Sequence, residues 1–315
     1  MRLDTKGVNS ILLQDYITEK EQSQVEFEKY FGKLEEKLNL KQKKHKIYEK
    51  SAKLAGKSEN FINNFKECGS LIGLNNDNKI VRANFCKSRL CPVCCWKKSI
   101  KTFIDVKRII TELGENHKYI MLTLTQKNCK PEELDKEIDK INYAFKRLRQ
   151  KAKFKRAYKG HIRTLEITYN SEEQTFHPHT HIILDTCEGY FEKNSEIYIT
   201  HSEMVKMWSD LINQEHCNLD IRAIQGTSVR ELEKAIAEVA KYTLKLSDIA
   251  YKEETEAMST IFTFLTGRRC FTYGGTIKST AKKLKINLED ETEDESSENI
   301  TFFRYQKGHY KKIEK

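Results

Sequence analysis

No apolar run in this chain of 315 residues approaches the length that crosses a bilayer, and Met1-Arg2-Leu3-Asp4-Thr5-Lys6 lacks the apolar core of a secretory signal. These two absences predict an intracellular, cytoplasmic protein with no membrane partner. Acidic residues are in deficit, 46 against 56 Lys and Arg, which leaves a formal net charge of +10. That balance favours a polyanionic partner, and nucleic acid leads because the excess is clustered. The clusters are Lys41-Gln42-Lys43-Lys44-His45-Lys46, Trp96-Lys97-Lys98 and Lys146-Arg147-Leu148-Arg149. Lys97, Lys98, Arg147 and Arg149 are therefore candidate DNA contacts.

Cysteine is plentiful: five of the nine lie between Cys68 and Cys95. Cytosolic thiols stay reduced, so this density points to metal. Cys86-x4-Cys91-x2-Cys94 places two thiolates on one tight turn with a third just upstream, a zinc-like spacing. Cys68 is the preferred fourth ligand, with Cys95 and His117 as alternatives. Four such ligands leave no open coordination position, so this zinc would be architectural or DNA-contacting.

The most chemically loaded stretch is Phe176-His177-Pro178-His179-Thr180-His181, followed by Ile182-Ile183-Leu184. On a strand, His179 and His181 project from one face and Ile182 and Leu184 from the other, so both imidazoles can reach one divalent cation. His161 to Tyr169 alternates as a strand, and the polar turn from Asn170 to Gln174 joins it to the histidine strand as an antiparallel hairpin. Glu166 on that partner strand is the preferred third ligand, and His177 competes with it.

Around the hairpin, Tyr119 to Thr125 reads as a buried strand, and Pro131 opens a helix with Leu134, Ile138, Ile141, Phe145 and Leu148 on one face. Thr200-His201-Ser202-Glu203 and Ser228-Val229-Arg230-Glu231 have capping-box spacing. The first starts a helix through Leu211, and Leu219 to Ile224 follows as a strand. The second starts a helix to about Ser247 whose buried stripe is Leu232, Ile236, Val239, Thr243 and Leu246. Glu238, Tyr242 and Lys245 share a separate face of it. There a tyrosine oxygen can attack a phosphodiester, and a carboxylate beside it can activate water. Gly267-Arg268-Arg269 and Tyr273-Gly274-Gly275 read as turns. The irregular alternation of strands and helices, with a hairpin, predicts an α+β fold.

The histidine motif, Glu238-Val239-Ala240-Lys241-Tyr242-Thr243-Leu244-Lys245, the strand Leu122-Thr123-Leu124-Thr125 and the Cys86 to Cys94 pattern together resemble the replication initiators of small rolling-circle plasmids of Gram-positive bacteria. These are the single-tyrosine branch of the HUH endonucleases, and the resemblance spans residues 61 to 285. It implies a central antiparallel sheet flanked by helices, with His179 and His181 binding Mg²⁺ or Mn²⁺ and Zn²⁺ in the cysteine module. It also implies Tyr242 as nucleophile, Glu238 as the acid that activates water at termination, and Lys245 at the lysine position that follows the tyrosine. Thr180 stands where relatives carry a bulky apolar residue.

The division expected is a basic helical or partly ordered N-terminal arm (1–60), a zinc module (61–110), a nicking core (111–250) and a C-terminal segment (251–315) with a solvated acidic linker, Glu289 to Glu298. The implied activity is sequence-specific nicking and closing of plasmid origin DNA through a 5′-phosphotyrosyl link, ended by hydrolysis. The implied partners are single-stranded or extruded origin DNA, a host helicase, a host polymerase and a second copy of the chain on DNA. A transposase or relaxase is the rival with the same chemistry. A non-catalytic zinc-dependent repressor is the rival without it.

Overall fold

The computed structural model describes residues 23–76, 80–215, 217–224, 229–240, 255–288 and 299–314. The first elements are α1 (Ser23–Lys43), α2 (His45–Leu54), α3 (Glu59–Glu67), β1 (Leu71–Leu74), β2 (Ile80–Ala83) and α4 (Pro92–Leu113). Then come β3 (Tyr119–Thr125), α5 (Leu134–Leu148), α6 (Ala152–Ala157), β4 (Tyr158–Asn170) and β5 (Thr175–Thr186). The rest are α7 (His201–Ile212), β6 (Leu219–Ile224), α8 (Val229–Ala240), α9 (Thr255–Phe264), β7 (Phe271–Gly275), α10 (Thr276–Lys283), β8 (Thr301–Gln306) and β9 (His309–Lys312). The chain is thus a mixed α/β protein built on antiparallel sheets. It divides into two units, residues 1–100 with 290–315, and residues 101–289.

In the first unit, the Lys- and Glu-rich N-terminal segment contributes more core than its composition suggests. Leu34, Leu38, Ile47, Tyr48 and Ala52 are buried, because the charged residues of α1 and α2 occupy the opposite faces. Lys41 is buried with them, and its Nζ donates to the carbonyls of Phe65, Lys66 and Cys68 at 3.0, 3.0 and 2.6 Å, satisfying the open C-terminal end of α3. The sheet of this unit runs β2-β1-β8-β9. Its middle pair joins residues far apart in sequence, Ile72 opposite Phe303 and Gly73 opposite Phe302. A Cβ on Gly73 would stand 2.6 Å from Ile300 Cγ2, so glycine is what lets the chains close here.

The second unit is a five-stranded antiparallel sheet in the order β6-β3-β5-β4-β7. Its central pair is the expected hairpin, with Glu166 opposite His179, Thr164 opposite His181 and Ile162 opposite Ile183. Because strand side chains alternate, these residues share one face, and His161, Arg163, Leu165, Ile182 and Leu184 occupy the other. The two faces have separate cores. Ile162 and Ile183 pack with Val106, Ile109, Ile236, Val239 and Ile277. Ile182 and Leu184 pack with Ile141, Phe145, Leu148, Met204 and Trp208. The stripes expected on α5 and at the start of α8 are therefore the surfaces that meet the sheet; Thr243 and Leu246 lie outside the described residues.

The capping box of α7 closes as its spacing predicts: Thr200 Oγ1 accepts from Glu203 N at 3.2 Å, and Thr200 N donates to Glu203 Oε2 at 2.9 Å. Tyr273-Gly274-Gly275 is a correction. The sequence reads as a turn, but the segment belongs to β7, paired with Ile162, His161 and Gly160 of β4. The glycines serve close approach: a Cβ on Gly274 would stand 2.5 Å from the His161 ring, and one on Gly275, at φ +62°, would stand 2.0 Å from Lys159 O.

Candidate active site and cysteine cluster

The hairpin register sets the site. Glu166 Oε2 lies 3.0 Å from His179 Nε2 and 2.8 Å from His181 Nε2. All three side chains are largely shielded, and Glu166 is 4% exposed. Burial pushes the Glu166 carboxyl upward, but its hydrogen bonds to His179 and His181 outweigh that and hold it well below the usual carboxylate range. The imidazoles are oriented from behind, with His179 Nδ1 3.3 Å from the carbonyl of His177 and His181 Nδ1 3.2 Å from Thr123 Oγ1. A carbonyl only accepts, so His179 Nδ1–H donates to His177 O, and the Nε2 atoms of both imidazoles face the one carboxylate oxygen.

The spacing fits a metal as well. Ligand atoms at ~2.1 Å around an octahedral Mg²⁺ or Mn²⁺ stand ~3.0 Å apart, and the two contacts to Glu166 Oε2 match that edge. The donor set, two imidazole nitrogens and one hard oxygen, suits a catalytic ion that keeps open positions.

Glu238, on α8, reaches the rim of this cluster, with Oε1 3.5 Å from His181 Nε2. The helix is anchored beside it by a hydrogen bond from Thr164 Oγ1 to the carbonyl of Val239. His177 stands apart: its Nδ1 is 2.8 Å from Asn128 Oδ1, and it does not join Glu166, His179 and His181. Thr180 is fully buried on the far face with no partner for its hydroxyl among the described residues. Tyr242 and Lys245 lie outside the described residues.

The first unit holds a second cluster. Cys68 Sγ lies 3.5 Å from both Cys91 and Cys94, and Cys86 lies 3.7 Å from Cys94. Sulfurs at ~2.3 Å around a tetrahedral zinc are ~3.8 Å apart, so the thiols already stand at zinc-like edges. Hydrogen bonds among these crowded sulfurs hold the Cys68 thiol far down and push those of Cys86 and Cys94 far up. The two alternative ligands are elsewhere. Cys95 Sγ donates to Arg89 O at 3.1 Å, and His117 Nδ1 is 2.8 Å from the buried Asp185.

A family model described as "Replication protein" matches residues 77–311. The curated relatives include "Protein rep" of Bacillus amyloliquefaciens, 35% identical over 66% of this chain and 67% of its own length. "Protein rep" of Streptococcus pneumoniae is 30% identical over 74% of each. "Protein rep" of Staphylococcus aureus is 30% identical over 68% of this chain and 94% of its own length. The chain belongs to the Rep family of replication proteins. The resemblance to rolling-circle plasmid Rep proteins drawn from the motifs therefore stands. No solved structure matches the chain.

In this Rep-family chain the basic candidates fall in different places. Lys97 Nζ sits 4.1 Å over the Phe85 ring, on the same helix as Lys98 and as Trp96, whose ring packs 4.8 Å from Tyr30. Arg147 donates to Gln150, and Arg149 covers the Phe145 ring at 5.3 Å. Those two arginines close α5, which packs on the sheet face opposite the histidines, so that face is not where they meet Glu166. Sequence reasoning missed Thr123 and Asn128, which orient His181 and His177, and Arg163, a charge on a buried strand face. Strand alternation around Ile162 and Thr164 was the available signal for Arg163.

Proposed function

We propose that this Rep-family chain initiates plasmid replication by nicking and reclosing one strand at the origin. The observation that carries the reading is the shared carboxylate oxygen of Glu166 between His179 and His181, 3.0 and 2.8 Å away. These residues would hold Mg²⁺ or Mn²⁺. The bound ion would polarise the scissile phosphate and offset the charge that grows on it.

Tyr242 would attack phosphorus through its phenolic oxygen. The bond to the 3′ oxygen breaks, leaving a 5′-phosphotyrosyl link and a free 3′-hydroxyl for a host polymerase. Glu238, 3.5 Å from His181 Nε2, would take the proton from water when the second junction is hydrolysed, so one tyrosine suffices. That carboxylate is the feature favouring hydrolytic termination over the strand transfer of a transposase or relaxase. Cys68, Cys86, Cys91 and Cys94 would hold a structural Zn²⁺ that contributes its binding energy to folding. Unpaired origin DNA would be the substrate, with basic and aromatic side chains neutralising and stacking on the strand. Host helicase and a second copy of the chain would join it there.

The test is incubation of the full chain with a labelled single-stranded oligonucleotide carrying the origin sequence and Mn²⁺. Transfer of label to protein through a bond that survives denaturation supports the nuclease. Retention without transfer supports the repressor reading.

A further inference from the structure

On the face of the five-stranded sheet away from the histidines, a cleft of about 340 Å³ lies between the C-terminal half of α5, β4 and the end of α9. Its lining carries four arginines: Arg149, Arg163, Arg268 and Arg269. Arg163 is 4% exposed, and its Nη1 donates to Asn142 Oδ1 at 2.8 Å. Its Nε and Nη2 have no partner among the described residues. Three N–H groups of a buried cation are thus left without an acceptor among the described residues, at a cost larger than that of most buried polar groups.

Among the described residues the surroundings do not supply one. Phe145 lies against the guanidinium at 5.1 Å, with Arg149 at 5.3 Å from the same ring. His161, edge-on to that ring, is pushed down to about 4 by its burial and by Arg149 and Arg163, so it stays neutral at physiological pH and can donate from one ring nitrogen. The described carboxylates nearby, Asp135 and Asp139, are paired with Arg268. A planar fork of donors in a concave, partly aromatic recess is the usual setting for an oxyanion held at two of its oxygens.

We propose that this cleft is a phosphate-binding site, separate from the Glu166 centre, in which Arg163 and Arg149 hold either a terminal phosphate monoester or a backbone phosphate of a single strand. Its size is at the lower end of the ~300–1,000 Å³ range of small-ligand sites, enough for about one nucleotide. The proposal does not depend on nicking chemistry, because Arg163 and Arg149 lie on the side of the sheet away from Glu166, His179 and His181.

The experiment is thermal unfolding of the full chain at constant ionic strength with three probes: dTMP, thymidine, and a five-nucleotide oligo-dT lacking terminal phosphates. The expected result is an upward Tm shift of about 3 °C at roughly ten times Kd with dTMP, the oligonucleotide or both, and none with thymidine. A response to dTMP alone assigns a terminal phosphate, and a response to the oligonucleotide alone assigns the strand backbone. The shift should vanish in Arg163→Met and in Arg149→Ala, and persist in Arg222→Ala, which removes an exposed charge of β6 outside the cleft. Arg149 is exposed, so its variant decides the matter even where Arg163→Met does not fold. No shift with either phosphate probe, or an equal shift in all three variants, overturns the proposal.

Discussion

Glu166 lies closer to the histidine diagonal to it than to the one directly opposite: the ladder pairs it with His179, at 3.0 Å, yet its Oε2 is 2.8 Å from His181. One carboxylate oxygen therefore bridges two side-chain positions of the neighbouring strand. His177, one further step along the same strand face, turns to Asn128 instead.

That geometry separates two residues that sequence alone leaves in competition. Glu166→Gln should lower nicking by ~100-fold or more, as expected when a ligand of a catalytic ion is weakened. His177→Ala should stay within a few-fold of wild type. Single-turnover cleavage of an origin oligonucleotide in Mn²⁺ measures both; the reverse ranking would give the ligand role to His177.

Glu238 sits 3.5 Å from His181 Nε2, beyond the two Glu166 contacts. If it serves water activation, Glu238→Gln should form the first protein–DNA bond at near-normal rate and fail at the second, accumulating over-length plasmid products. Loss of the first cleavage as well would place Glu238 among the groups that hold the ion or activate the tyrosine.

The cysteine cluster makes a prediction of its own. Wild-type protein should carry about one zinc per chain, and Cys94→Ser should release it and lower Tm. Cys95→Ser, next along the helix but bonded to the Arg89 carbonyl, should retain it. Elemental analysis of the three proteins checks this, and equal zinc loss in both variants would contradict the four-sulfur assignment.

His161 provides a pH test of the buried arginine face. Its folded value, about 4, lies below the ordinary 6.5, because burial and the neighbouring Arg149 and Arg163 disfavour the charged ring. The unfolded chain therefore binds a proton that the folded chain refuses between pH 6.5 and 4, and stability falls as pH drops through that window. By pH 5 the loss from this group should be about 2 kcal/mol, and it should level off below pH 4. Urea unfolding at pH 7 and pH 5 should show this component in wild type and not in His161→Gln. Identical pH dependence in the two would mean that His161 is not held neutral.

The hairpin was legible because its alternation is local and because two histidines on one strand must share a face. Its register was not: the choice between Glu166 and His177 depends on which residue of β4 stands opposite His179, and a slip of one would have turned Glu166 away. β7 was hidden because Gly274 and Gly275 signal turns, whereas here they make room for His161 and Lys159. β8 was hidden for another reason: it pairs with β1, more than 200 residues earlier, and no local pattern announces so distant a partner. Arg163 was passed over because a charge on a strand is ordinarily read as solvent-facing.

The central claim is that Tyr242, two residues beyond α8 in sequence, becomes joined to DNA. The most direct measurement is cleavage of an origin oligonucleotide by the full chain in Mn²⁺, followed by digestion and mass mapping of the DNA-linked peptide. The account predicts a single phosphotyrosyl adduct on Tyr242, abolished by EDTA and absent in Tyr242→Phe and His181→Ala. An adduct on another residue such as Tyr251, cleavage with no adduct, or full activity in EDTA would contradict it.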